Sequence, residues 1–234
     1  MSIFRQGVSR ENWAFLTLAL GARPFLAPFR PNGKAQHVHG FLGRFARTAA
    51  ANAAMLRSLA ATGVPLVGLD PSVTLTYRAE YPDAGVAAPS VLLLQEWLAR
   101  QPTAAPPATP AQPAFRLLAH CTERTTAAAS LRDWQAAFAH HGLVLEVLAA
   151  GCCGMAGTFG HETEHKETSE HAYGLSWRRH VAEYPERLLA TGYSCRSQVK
   201  RFDNRVLRHP AQALLAAMRE RGRPAGGDAI RAAT

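Results

Sequence analysis

The chain of 234 residues has few cysteines, no long apolar run and no dense block of basic charge. Each shortage excludes a class of protein. No apolar stretch approaches the roughly 20 residues that a transmembrane helix needs, so no membrane span is expected. Only the short run WAFLTLAL, Trp13 to Leu20, invites comparison with a signal peptide, and Glu11 and Arg23 crowd it, so the cytoplasm is the expected location. Basic residues exceed acidic ones, 26 against 17, for a net charge of +9. They are scattered in ones and twos without the interleaved aromatics that stack bases, so no nucleic acid partner is expected. Four cysteines are too few for a disulfide scaffold, and the adjacent pair Cys152 and Cys153 cannot easily bridge. Reduced thiols follow, and clustered thiols in a reducing compartment point to ligands or redox groups.

What is present divides the chain. Gln101 to Pro113 reads QPTAAPPATPAQP, a Pro/Ala-rich linker with nothing to bury. It separates residues 1–100 from 114–222, and a Gly/Ala-rich tail at 223–234 is expected to fray. Each half repeats a short apolar run, a turn, an amphipathic helix and a second apolar run. That order predicts an α/β fold of two related βαβ-type halves with parallel sheets. In the second half FRLLAH, LVLEVLAA and RLLATGY read as strands. Ser130 to Asp133 reads as a capping box for a helix that buries Leu131, Trp134 and Phe138 and stops at Gly142. Pro210 and Gly222 bracket a last helix carrying Leu214, Leu215 and Met218. In the first half Val38, Leu42, Phe45, Ala49, Leu56 and Leu59 form one stripe ending at Gly63, and VPLVGLD reads as extended.

The halves overlay on one another. A slide of 122 positions sets FLAPFRPNG on VLAAGCCGM, and one of 123 sets GLDPSVTLTYR on TGYSCRSQVKR. Arg30, Pro31 and Ser72 then stand where Cys152, Cys153 and Cys195 do, so the first half reads as a cysteine-free copy of the second.

Cys121, Cys152, Cys153 and Cys195 each fall at or just beyond the end of a predicted strand. In a parallel sheet those ends share one edge, where crevices form and distant residues meet. Four thiolates suit zinc or an iron–sulfur cluster. The other readings are small buried packing residues and a thiol redox site. His161 stands eight positions beyond Cys153 and is a candidate to support the ligands. Arg196, Lys200, Arg201, Arg205 and Arg208 form a basic stripe after Cys195. Arg196, Lys200 and Arg201, with Lys34 of the turn Pro31-Asn32-Gly33-Lys34, are candidate contacts for an anion or partner; a solvated face and a plain turn are the alternatives. His161 to His165 also matches H-E-x-x-H, but its polar and glycine-rich flanks argue for a solvated helix start rather than a zinc peptidase.

The segments AHCTERTTAAASLRDWQ, GCCGMAGTFGHE, LLATGYSCRSQVKRF and HPAQALL resemble the C-terminal cysteine-rich (CCG) region of bacterial FAD-linked, iron–sulfur D-2-hydroxyglutarate dehydrogenases. RPNGKAQHVHGFLGRFARTA and GLDPSVTLTYRAEY resemble that family's first, degenerate half, so the likeness runs from about Leu20 to Met218. It implies that the four cysteines hold a cluster or zinc beside a flavin domain and a ferredoxin-like segment. Neither a glycine-rich flavin-binding stretch nor a C-x-x-C-x-x-C run occurs in this sequence. FAD would therefore act only through a domain absent here, and a split, truncated or separately encoded C-terminal portion, inactive by itself, is the expectation. The competing expectation is a standalone, metal-free interaction or structural module that docks to a partner chain.

Overall fold

The computed structural model describes residues 21–101 and 113–222. The WAFLTLAL run, most of the linker and the tail lie outside them. The first half runs α1 (Lys34–Val38), α2 (Leu42–Ala60), β1 (Leu66–Gly68), α3 (Pro71–Thr76), α4 (Glu80–Asp83), β2 (Val91–Leu93) and α5 (Leu94–Leu98). The second runs β3 (Phe115–Leu118), α6 (Cys121–Thr126), α7 (Ser130–His140), β4 (Leu145–Val147), α8 (Lys166–Ser176), α9 (Arg178–Glu183), β5 (Leu188–Ala190), α10 (Tyr193–Asp203) and α11 (Pro210–Gly222). The fold is α/β with small parallel sheets. β1 pairs with β2, and a separate sheet has the order β4-β3-β5, every pairing parallel.

Each strand of the second half falls within its predicted apolar run. Leu117, Leu118, Leu189 and Ala190 are sealed from solvent on both faces, the pattern of a parallel sheet covered by helices. Helix α7 forms as its periodicity dictates, with Trp134 and Phe138 buried and Gly142 at φ 57 beyond its end. The capping box does not form: the N-cap is Ala129 and makes no side-chain cap. The Ser130 hydroxyl instead turns inward and accepts from Gln95 Nε2 at 3.0 Å.

The first-half stripe is broken. Gly40, at φ 76, ends the first turn of helix and re-aims the chain, so Val38 and Leu42 face solvent while Phe45, Ala49 and Leu56 are buried. Leu59 is only half-buried. The segment FLAPFRPNG forms no strand, whereas its overlay partner begins at the end of β4. The other overlaid pair does match in form: β1 leads into α3 as β5 leads into α10. Backbone beside β5 also echoes β2, since Arg208 bridges Leu189 in parallel just before α11.

The halves share one core. Leu94 and Leu98 of α5 pack in the same cluster as Trp134, Phe138, Leu145 and Leu214. Burial of large side chains across this seam, at roughly 1.5–3 kcal/mol each, is what holds the first half on the second. A second cluster places Cys153 and Cys195 among Met155, Tyr173, Trp177 and Val199.

Candidate functional site

Three strand ends build the site. β3 leads through Ala119 and His120 into α6, whose first residue is Cys121. β5 leads through Thr191 and Gly192 into α10, with Cys195 in its first turn. β4 leads into Gly151-Cys152-Cys153-Gly154, which is strapped down residue by residue. Gly151 N–H donates to Ser176 Oγ at 2.7 Å, and Trp177 Nε1 donates to the Gly151 carbonyl at 3.1 Å. Ser169 Oγ donates to the Gly154 carbonyl at 2.8 Å and receives Gln198 Nε2 at 2.6 Å. Gly154 adopts φ +85, and a Cβ there would lie 2.2 Å from the Ser169 carbonyl, so the loop needs glycine at that point.

The four thiols meet at this rim as a chain of contacts. Cys121 and Cys153 both hydrogen-bond to Cys152, and Cys153 also bonds Cys195. The Cys152 sulfur accepts the Gly154 N–H at 3.3 Å. Hydrogen bonds from Cys121, from Cys153 and from the Gly154 and Ala156 amides pull Cys152 far below the ordinary thiol range, outweighing its burial. Cys121 is pushed up, first by its bond to Cys152 and then by burial, and Cys153 is pushed up by Cys152, Cys195 and burial. Cys152 is thus the sulfur whose charged form its neighbours favour. Cys121 and Cys152 are half-buried, while Cys153 and Cys195 are buried.

Thiolate donors suit zinc or iron, and each neighbouring pair in the chain is already in contact. Among the described residues, the grouping of potential ligand atoms that lies mutually within 4.8 Å is Glu162, Glu164 and His165, not the sulfurs. An ion held by all four cysteines would therefore require the sulfurs to close up around it.

The sequence pattern passed over several residues that frame these sulfurs. His120 lies beneath them, its ring against Gly192; a Cβ on Gly192 would sit 2.5 Å from His120 Cδ2 and 2.9 Å from Cys195 Sγ. Its Nδ1 accepts the Thr122 N–H at 3.2 Å, and burial keeps the imidazole pKa below its usual value. Asp70, from the first half, accepts the Tyr193 N–H at the start of α10 at 2.9 Å. Glu123 is fully buried, and burial raises its carboxyl to about 7. Only Asp70 carried a signal in the sequence, an Asp before a Pro that opens a helix.

The other candidates fall elsewhere. His161 is exposed, while His120 is buried beside Cys195. Arg196 is buried, not presented to an anion: its guanidinium donates to the carbonyls of Ala190 at 2.8 Å and Thr191 at 2.7 Å, tying off the end of β5. Lys200 and Arg201 are exposed, and Arg201 also donates to the Gly160 carbonyl. Lys34 pairs with Glu80, and after burial its charge adds a little to the lowering of the His120 pKa. The H-E-x-x-H run spans two short 3-10 turns, Phe159–His161 and Thr163–His165, not one helix, with His165 stacked on Phe159 at 4.1 Å. His161 and His165 thus do not share the helical face that a zincin needs.

No protein-family model matches the chain, and no solved structure matches it significantly. Curated proteins do. It is 52% identical over 206 residues to D-2-hydroxyglutarate dehydrogenase of Pseudomonas putida, covering 86% of this chain and 20% of that protein. It is 48% identical over 202 residues to the Escherichia coli enzyme of the same name, covering 84% and 20%. The Haemophilus influenzae protein is 43% identical over 217 residues, covering 88% and 21%. The chain thus spans about a fifth of the length of the curated relatives it matches. Together with the cysteine rim, these identities make the chain a sequence relative of one portion of the D-2-hydroxyglutarate dehydrogenases.

Proposed function

We propose that this chain is the cysteine-rich portion of an FAD and iron–sulfur dehydrogenase that oxidises D-2-hydroxy acids. In this reading Cys121, Cys152, Cys153 and Cys195 hold a metal ion or cluster, and flavin chemistry belongs to a domain or subunit outside the chain. A metal bound there would supply a redox or structural centre. The chain's own residues hold the sulfurs at one rim, favour the charged form of Cys152 through Cys121, Cys153 and then the Gly154 and Ala156 amides, and exclude water from Cys153 and Cys195. The observation that carries the reading is the contact chain joining all four thiols, drawn from elements more than 70 residues apart.

A flavin- or ferredoxin-bearing domain or subunit is the partner this reading requires. Exposed Phe25, Leu26, Phe29, Phe41 and Leu42 are large apolar side chains available to it. The first half also touches the loop that follows the cysteine pair, where Val38 lies over Gly157 and His39 Nε2 meets Thr158 Oγ1 at 3.1 Å. Lys200 and Arg201 supply exposed positive charge for steering an acidic partner.

Metal analysis of anaerobically purified protein tests the site. Zinc, or iron with sulfide, retained by the wild type and by His165→Ala but lost on Cys152→Ser is the expected result. Protein that carries neither metal and takes up neither on reconstitution defeats the metal reading and leaves the docking module.

A further inference from the structure

We propose that Glu123 is a positioning residue of the cysteine site, whose buried carboxylate ties the two cysteine-bearing helix starts to each other and to the first half of the chain. The proposal rests on the metal reading above for its purpose, though not for its geometry.

Glu123 sits in α6, two residues after Cys121, and is fully buried. Its oxygens are satisfied by neutral donors from two directions. Thr191 Oγ1 donates to Oε2 at 2.5 Å, and Gln95 Nε2 donates to Oε1 at 2.7 Å. Thr191 is the link to the rest of the site. Its hydroxyl oxygen accepts the His120 N–H at 2.9 Å, its carbonyl receives Arg196, and the next residue is Gly192, which spaces His120 from Cys195. Holding Thr191 therefore fixes α6 with Cys121 against α10 with Cys195. These are the two ends of the thiol chain. Gln95 lies in α5 of the first half and also donates to Ser130 Oγ in α7, so the cysteine-free half grips the carboxylate that sets the spacing of the cysteines.

A buried carboxylate without a cation is costly, and an apolar residue would pack this seam more cheaply. An acceptor facing two donors in fixed directions does what an apolar residue cannot: it specifies register between three elements.

Exchange of partners tests the idea in the full chain. Glu123→Gln keeps size and shape but turns one acceptor into a donor that faces Gln95 or Thr191. Adding Gln95→Glu restores the pairing with its direction reversed. Cobalt(II) is the probe, because its thiolate charge-transfer and visible bands report the sulfur ligands directly. Glu123→Gln is expected to weaken cobalt binding roughly 10–100-fold, as loss of a ligand-supporting group does, and the double exchange to restore affinity and bands. If Glu123→Gln fails to fold, the double variant decides, since its pairing is complementary. Unchanged affinity in Glu123→Gln, or no recovery in the double variant, overturns the proposal. If the wild type binds no cobalt, the metal reading fails, and iodoacetamide decides the interlock alone. Alkylation of Cys195 should then be roughly tenfold faster in Glu123→Gln, from local opening, and return to the wild-type rate in the exchange. Cys195 equally protected in all three proteins refutes it.

Discussion

Asp70 and Tyr193 stand 123 positions apart, and the Asp70 carboxylate accepts the Tyr193 amide at 2.9 Å. Its other oxygen accepts the Val73 amide at 3.3 Å. One side chain thus caps the first turn of α3 in its own half and of α10 in the other. The slide that overlays the two halves sets these same two residues on one another. Gly192, at the N-cap of α10, has no side chain to offer, and the first half supplies the missing acceptor.

Asp70→Ala should therefore remove two caps at once. A loss of about 1–3 kcal/mol in urea unfolding is expected, with Asp70→Asn losing about half as much because it keeps one acceptor oxygen. Equal losses in the two variants would show that only one of the bonds matters.

Burial sorts the thiols. In reduced, metal-free protein, peptide mapping after brief alkylation should find Cys121 and Cys152 modified first, with Cys153 and Cys195 protected at 3% and 1% exposure. Uniform modification of all four would place the rim in a loose loop.

Gly192→Ala drives a methyl group into His120 and Cys195. We expect a destabilisation of about 1–3 kcal/mol, typical of overpacking, together with loss of metal retention. Gly85→Ala, where a Cβ meets nothing within 4 Å, controls for added bulk, although its positive φ carries a backbone cost of its own.

His209 is 1% exposed, and its Nδ1 accepts the Ala211 amide at 3.2 Å at the start of α11. Burial, and then the charge of Arg196, hold its pKa well below 6.5. A folded-state pKa below the unfolded value gives stability that is present above about pH 6.5 and lost as pH falls. The slope is about 1.4 kcal/mol per pH unit for one proton. His209→Asn, which keeps an acceptor for the helix start, should flatten that part of the stability profile measured between pH 7 and 5. An unaltered profile would assign the acid sensitivity to other groups.

The strands and helices of the second half were legible because their signals are local. FRLLAH and LVLEVLAA are apolar runs bounded by turns, and Trp134 and Phe138 recur at helical spacing. The strand-end placement of the cysteines followed from the same pattern, since parallel strands share an edge. Local signals misled where a long-range partner took over. Ser130 has the chemistry of a cap but spends its hydroxyl on Gln95, and Arg196 has the chemistry of an anion contact but lies buried against the end of β5.

The sequence by itself determined the α/β class and the kinship to a dehydrogenase portion, because periodicity, composition and motif are properties of neighbours along the chain. Tertiary structure alone decided that His120 lies beside the sulfurs, and that Asp70 and Gln95 of the cysteine-free half reach the helix starts that carry the cysteines. Those assignments depend on which buried donor finds which acceptor across 28 to 123 positions of chain, and no local pattern encodes that pairing.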